Sequence, residues 1–442
     1  MATVGLKSIN LAVGWPNPNL LAVDGLRKAS ADVFLHPDIR AKGSPLGYAT
    51  DEGSEVLRKS IAEWLTRFYQ IGQLIPAENI CITGGASQNL ACILQTFTDP
   101  AFTRNVWMVV PTYMCAIRIF EDSGFAQKLR GVREVGGGID FVWFKEQLGV
   151  SEAVARAGGE LFPKYKTSKP WRKIYKHVVY AVPTYSNPCG TVMDLRCRQD
   201  LVRLAREFDA LIVTDDIYDM VQWDNTGVET HIPTTACLPR IVDIDGHLDG
   251  GPKDAFGHSV SNGSFSKLVG PGCRTGWCQG TKKLIYGISQ TGSTRSGGAP
   301  SQFAASFIHH FLKEAMMEDF LEGQLLPEYA LRHKMMLSAI EQHLVPLGVH
   351  LPQSGWNGRS GGFFIWIHLP DKVTAQSLAQ RALKDKALVI MAGTEFEVET
   401  MKGLEDALSK RCIRLSFSWE SKENLAAGVV RLASVLRELL QE

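Results

Sequence analysis

At 442 residues the chain is too long for one small domain and long enough to bury a large core. It is 45% hydrophobic and 21% charged, with a formal net charge of +1. That balance is ordinary for a globular chain and supplies no general field for nucleic acid or an anionic membrane, so neither is expected as a partner and any ligand must be recognised by a local site.

The first residues, MATVGLKSINLAVGWPNP, have no basic stretch followed by a long apolar one, and no apolar run is long enough to span a bilayer. The end, LRELLQE, matches no sorting signal. Nine cysteines, an odd number, are scattered without a CxxC pair or a zinc-finger histidine spacing, so they read as free thiols in a reducing compartment, with no metal site. A cytoplasmic location is the default expectation.

In chain order, residues 1–45 are expected as an arm that packs on a smaller domain or on a partner subunit. Residues 46–302 are expected as a large ligand-binding domain. Within it NICIT (79–83) predicts a strand, and GGASQNLACILQTF predicts a turn entering a helix. VWMVV (106–110) predicts a strand ending at PTY, and HVVYAV (177–182) one ending at PTYSNPCG. Leu201, Leu204, Ala205 and Phe208 recur at helical spacing with Asp194 as N-cap, and ALIV (210–213) predicts a further strand ending at TDDIYD. Strands apolar throughout, separated by helices, predict an α/β fold with a mainly parallel sheet covered on both faces. Two inserts read as surface loops. One is KYKTSKPWRKIYK (164–176), either a solvated loop or an anion contact, and the other is DIDGHLDGGPKDAFGH (243–258). SNGSFSKLVGPGCRTGW (261–277) reads as a Ser- and Gly-rich turn carrying Lys267 and Arg274. Residues 303–442 are expected as a smaller α+β domain. It has long helices, strands in GGFFIWIHL, ALVIM and CIRLSFS, and a closing amphipathic helix marked by Leu425, Val429, Leu432, Val435 and Leu439.

Ligands of open parallel sheets bind beyond the carboxyl ends of strands, so the residues there are the candidates. Gly84-Gly85-Ala86-Ser87-Gln88 opens a helix and suits an anion, although a tight strand-to-helix turn wants glycine anyway. Tyr113 reads either as an aromatic that stacks on a flat ring or as a core tyrosine, and Asn187-Pro188 as a turn. Asp215, at the end of a buried strand, needs a cation or a protonated ring nitrogen, and Tyr218 follows it at three residues. Lys267 is the residue type that condenses with aldehydes. Ser264, Ser266 and Arg274 are the types that hold a phosphate. An aldehyde, a phosphate, a flat ring, a phenolic oxygen and a basic ring nitrogen together describe pyridoxal 5′-phosphate.

The chain resembles the class I/II aminotransferases, of pyridoxal-phosphate fold type I. The resemblance is carried by GYATDEGSEVLRKSIAEWL, GGASQ, PTY, NPCG, DDIYD, SFSK, PGCRTGW, GGFFIWI and IRLSFS, in order and along nearly the whole chain. It implies that Lys267 binds the cofactor aldehyde and shuttles the proton, and that Asp215 keeps the ring nitrogen protonated. It implies that Asn187 and Tyr218 hydrogen-bond the phenolic oxygen, and that Tyr113 stacks on the ring. The phosphate falls to the N–H groups of Ala86 and Ser87 with Ser264, Ser266 and Arg274. Arg414 matches the arginine that grips the substrate α-carboxylate, where a planar fork suits a planar anion. Gly14, in VGWPNP, resembles the N-terminal turn on the substrate side. Tyr48 resembles a residue that reaches the phosphate of the other subunit, which implies a homodimer with shared sites; the alternative is an ordinary loop tyrosine.

The sequence departs from the commonest wording at Cys189 and Cys273, which remove no catalytic group, and at Ala86, where a hydroxyl residue is frequent. Cys189 reads as a small filler. Arg295 reads either as a surface or interface arginine or as one that recognises a side-chain carboxylate across a dimer, so no dicarboxylate substrate is inferred. The expected activity is ping-pong amino transfer between an amino acid and a 2-oxo acid. The alternative is another reaction on the same cofactor: elimination, racemisation, decarboxylation or carbon–carbon bond formation. A transcriptional sensor is not expected, because the match begins near residue 14 and leaves no room for a DNA-binding module.

Overall fold

Runs of β-branched and aliphatic residues set the central layer of this computed structural model, which describes residues 6–35, 44–135, 138–167, 169–224, 230–295, 300–313, 315–401 and 408–442. Parts of the expected arm (1–5 and 36–43), Ser168, and residues 296–299 beside Arg295 therefore lie outside the described residues. An eight-stranded sheet runs in the spatial order Ile80–Thr83, Gly276–Gln279, Ser259–Ser264, Ala210–Asp215, His177–Ala181, Asn105–Val110, Leu129–Val135, Gly138–Ile139. From Ser259–Ser264 to Leu129–Val135 each neighbour is parallel, while Gly276–Gln279 is antiparallel to both of its neighbours. Every residue of Asn105–Val110, His177–Ala181 and Ala210–Asp215 is buried, as central strands with helices on both faces require.

The strands expected between 79 and 213 are present within a residue or two, whereas ALVIM divides into Leu388–Val389 and Met391–Ala392 in separate sheets; Asp194 caps Leu195–Glu207 by accepting from Cys197 N at 2.7 Å. The stretch read as one turn over 261–277 is instead strand, turn and strand: Ser259–Ser264 and Gly276–Gln279 are paired and buried. Its polar side chains are paired inside the protein, which removes the penalty of burying them. Ser261 donates to Asp216, Asn262 holds Ala86 O at 2.8 Å, and Asn89 donates to Asn262 at 3.0 Å. Gly263 lies under Trp277, where a Cβ would come within 2.2 Å of the indole.

Both inserts are exposed over much of their length, as surface loops are, and are tied to the body at their ends. Tyr175 donates to Gly257 O at 2.6 Å from a fully buried position, and Lys173 pairs with Asp209 and Asp254, both at 2.7 Å. Lys166 holds Leu94 O and Gln95 O at the end of Ala86–Phe97, where a cation complements the helix dipole. In the second insert Asp245 is buried, pairs with Arg206 at 2.8 Å and accepts from His258 N at 2.8 Å.

In the C-terminal part, Phe364–His368, Cys412–Ser416 and Met391–Ala392 form a three-stranded sheet, and the closing helix runs over Lys422–Gln441. Ile9–Asn10 pairs in parallel with Leu388–Val389, and Leu11 O accepts from Ser416 N. The N-terminal segment is thereby stitched to the small sheet. Gln302–Lys313 packs on Val23–Leu35 and Glu55–Phe68. No helix among the described residues is long and apolar enough to cross a membrane.

Candidate active site

Asp215 ends its strand with only 5% of its surface exposed. Burial is the main force pushing its carboxyl up, to about 7; the Tyr180 phenol opposes this, the neighbouring Asp216 charge adds to it, and Lys267 opposes it. Tyr180 Oη donates to Asp215 Oδ2 at 2.9 Å. The other oxygen, Oδ1, is buried with no hydrogen-bond partner, a state that costs about 1–3 kcal/mol until a donor arrives.

Lys267 follows the Ser259–Ser264 strand, and its amine donates to Gly14 O at 2.7 Å. It sits over the rings of Phe363 and Tyr218, 5.1 and 5.9 Å from their centres. Burial, then the Arg414 charge, pulls the amine down to about 8, against the pull of Asp215. An amine held there is readily deprotonated near neutrality and is a competent nucleophile.

At the opposite end, Ala86–Phe97 begins after Gly85, which has φ 101° and no side-chain cap. The first N–H groups of such a helix have no intrahelical partner and face the same way as its positive dipole end. Glycine is favoured there by the positive φ, and a Cβ would also lie 2.9 Å from Arg274 Nη2 and displace the guanidinium. Arg274 itself adopts φ 45° and reaches Gly84 O with Nη2 and Pro271 O with Nη1. Ser264 Oγ donates to Ser266 Oγ at 2.9 Å beside it. A guanidinium, two hydroxyls and a helix start thus converge on one small volume.

Arg414 projects from the middle of Cys412–Ser416 and is 2% exposed. Nη1 donates to Asn187 Oδ1 at 2.7 Å, Nη2 donates to Ala12 O, and Nε is buried without a partner. Its guanidinium carbon lies 4.0 Å from the Phe364 ring centre. Burial drives it down to about 10, with Tyr218 and Tyr113 opposing. Asn187 precedes a cis bond to Pro188, and Tyr113 follows one at Val110–Pro111. Burial raises both the Tyr113 and Tyr218 phenols, so both remain protonated. Gly14 leaves no room for a side chain, since a Cβ would meet Phe364 Cζ at 2.4 Å. Cys189 packs with Trp366, Phe396 and Cys412, the place of a small apolar filler.

One cavity of about 480 Å³ gathers Gly14, Ala86, Ser87, Tyr113, Asn187, Asp215, Tyr218, Ser264, Ser266, Lys267, Arg274 and Arg414. Sequence reasoning missed Trp15, Met114, Cys115, Ile217, Phe364 and Met391, which also line it, and Tyr180 behind Asp215. Trp15 and Phe364 lay within quoted motifs, but nothing in an apolar word marks which residue faces a ligand. Tyr48 is outside the cavity and 77% exposed. Arg295 is also outside it and pairs with Asp51 at 3.3 Å. The donor set fits pyridoxal 5′-phosphate: an enclosed amine, a buried carboxylate oxygen lacking a donor, and a glycine-floored cradle at an arginine and a helix start.

Residues 7–432 match the family model for aminotransferase class I and II. An uncharacterised protein of Saccharomyces cerevisiae is 30% identical, over 98% of this chain and 97% of its own. Aromatic-amino-acid aminotransferase 1 of Thermococcus litoralis is 24% identical, over 98% of this chain and 89% of its own. The kynurenine aminotransferase of Pyrococcus horikoshii, solved with PMP, superposes with a TM-score of 0.76 at 25% identity, covering 99% of this chain and 93% of that one. The chain belongs to the class I and II aminotransferases, pyridoxal 5′-phosphate-dependent enzymes that transfer an amino group between an amino acid and a 2-oxo acid.

Proposed function

We propose that this cavity is the aminotransferase active site and that it takes amino acids with large, uncharged side chains. The observation that carries the reading is the enclosed Lys267 amine in one cavity with Arg274 and the half-partnered Asp215. Pyridoxal 5′-phosphate supplies an aldehyde for the amine and a ring that accepts electron density from the substrate Cα. Lys267 would hold that aldehyde and, as a free amine, would move a proton at the substrate Cα. Asp215 would present Oδ1 to the ring nitrogen, and its negative charge would favour a protonated ring. Tyr113 would cover a ring face, while Asn187 and Tyr218 would hold the phenolic oxygen. Ser264, Ser266, Arg274 and the N–H groups of Ala86 and Ser87 hold the phosphate. Arg414 exchanges its contact with Ala12 O for the substrate α-carboxylate while Asn187 keeps its fork oriented. Gly14 gives the substrate room beside Phe364.

The substrate class is supported by the rest of the lining. Trp15, Met114, Ile217, Phe364 and Met391 are apolar, and Lys267, Arg274 and Arg414, the cations among the described lining residues, all have other duties. The similarity to an aromatic-amino-acid and a kynurenine aminotransferase points the same way. The reading extends to a homodimer in which Tyr48, exposed in the single chain, reaches the partner's phosphate end. It also takes residues 46–302 as the large domain and 303–442 as the small one, with the N-terminal arm joined to the latter through Ile9–Asn10. Nine free cysteines support a reducing, cytoplasmic setting. A panel of amino donors and 2-oxo acid acceptors, read by cofactor absorbance, tests the activity. Aromatic and large aliphatic donors are expected to convert the cofactor to its amine form ahead of aspartate and glutamate. Preference for the dicarboxylates overturns the substrate class, and no conversion by any donor overturns the site.

A further inference from the structure

Tyr180 was read from sequence as part of an apolar strand, and the transfer chemistry gives it no task. Its position is nonetheless specific. In the parallel register of the sheet it lies opposite Val213, two residues before Asp215 on the neighbouring strand, so the two side chains share a face as diagonal neighbours. The ring is fully buried and packs edge-on against Phe120, with centres 5.7 Å apart. Its hydroxyl donates to Asp215 Oδ2 at 2.9 Å, and Oδ1 is the oxygen left without a partner.

We propose that Tyr180 is a positioning residue for the cofactor's pyridine end: its phenol ties up Oδ2, favours the ionised Asp215 carboxylate, and leaves Oδ1 as the oxygen free for the ring nitrogen. The proposal rests on the assignment of Asp215 to that nitrogen. Physically, Asp215 is in a difficult place. Burial pushes it toward the neutral acid, and the charge of Asp216 pushes the same way. A neutral acid would be a poor counterion for a protonated ring. Two groups oppose protonation, Tyr180 by hydrogen bonding and Lys267 by charge. Lys267 is also the group that would bond an aldehyde, so its charge is not fixed, whereas the Tyr180 hydrogen bond is set by the fold. The other groups coupled to Asp215, the Tyr113 and Tyr218 phenols, are held protonated by burial and add no charge. Burial likewise raises the Tyr180 phenol well above its usual value, so it stays a donor throughout the working range.

Tyr180→Phe deletes the donor and keeps the ring that packs on Phe120. The holoenzyme is prepared with cofactor labelled with nitrogen-15 in the ring, and the ring-nitrogen chemical shift is measured by solid-state NMR in wild type, Tyr180→Phe and Asp215→Asn. The expected result is a shift toward the unprotonated ring in Tyr180→Phe, cofactor affinity weakened about 10- to 100-fold, and the acid limb of kcat/KM moved up by about one pH unit. A ring shift and acid limb identical to wild type in Tyr180→Phe, with Asp215→Asn deprotonating the ring, overturn the proposal and leave the Asp215 assignment intact. A ring that stays protonated in Asp215→Asn overturns the Asp215 assignment itself. Far-ultraviolet circular dichroism on the same samples separates these outcomes from misfolding, and a phenylalanine variant that is folded but loses ring protonation supports the proposal.

Discussion

Lys267 carries two charges of history in one side chain: an ordinary ammonium in the unfolded chain and an amine drawn down to about 8 in the site. That change makes the residue useful, and no other side chain in the cavity offers it. Lys267→Ala is therefore expected to abolish the visible absorbance of lysine-bound cofactor and to lower kcat by about 10²- to 10⁴-fold, the range of a lost general acid–base. Spectra and turnover that match wild type would mean the wrong lysine has been chosen. Arg414 makes a different kind of contribution. Its planar fork is oriented by Asn187 at 2.7 Å and by the Phe364 face, so a point charge cannot replace it. Arg414→Lys should raise KM for the amino acid about 10- to 100-fold with a smaller change in kcat. Steady-state kinetics that show KM unaltered would remove Arg414 from α-carboxylate binding.

At the scale of elements, the proposed phosphate end is built on backbone, and its geometry hinges on glycine. Gly85→Ala forces a Cβ to 2.9 Å from Arg274 Nη2 at φ 101°, so either the turn or the arginine must move. Cofactor dissociation constants, measured by titration of the apoprotein, should rise about 10- to 100-fold, while apoprotein stability falls by only about 1–3 kcal/mol. Unchanged affinity would show that the helix start does not hold the phosphate. The same elements explain what sequence could and could not reveal. Asn105–Val110, His177–Ala181 and Ala210–Asp215 were legible because each carries a continuous apolar run buried on both faces, with polar residues only at or near the ends. Ser259–Ser264 was not, because SVSNGS is a central strand whose hydroxyls and amides are paired with Asp216, Ala86 and Asn89. Those partners are remote in sequence, and no local pattern announces them. Candidate residues stood out where a charged type ended a legible strand, as at Asp215, or where a reactive type sat on a Ser- and Gly-rich turn, as at Lys267. Tyr180 and the apolar wall of Trp15, Met114 and Met391 were not, since their significance lies only in what stands opposite.

For the whole molecule, the site sets a pH dependence with a definite sign. The Asp215 carboxyl is held at about 7 in the folded protein, against about 3.9 in an unfolded chain. Between those values the folded apoprotein retains a proton that the unfolded chain has released. Linkage then makes the apoprotein less stable as pH rises through that window, by up to about 4 kcal/mol from this group across its three units. A cation bound beside Asp215 favours its ionised form and cancels that loss, so the stabilisation given by cofactor should grow from pH 4 to pH 7. Lys267, held at about 8, must also shed its proton to bond an aldehyde, which adds a rise of the same sign. Asp215→Asn separates the two, because it removes the carboxyl contribution and keeps the lysine one. Thermal midpoints of holo and apo forms, taken at pH 5, 6 and 7, should show a gap that widens steeply in wild type and more gently in Asp215→Asn. Equal slopes in the two proteins would mean that Asp215 does not change its charge when the cofactor binds, and the counterion role would fall with it.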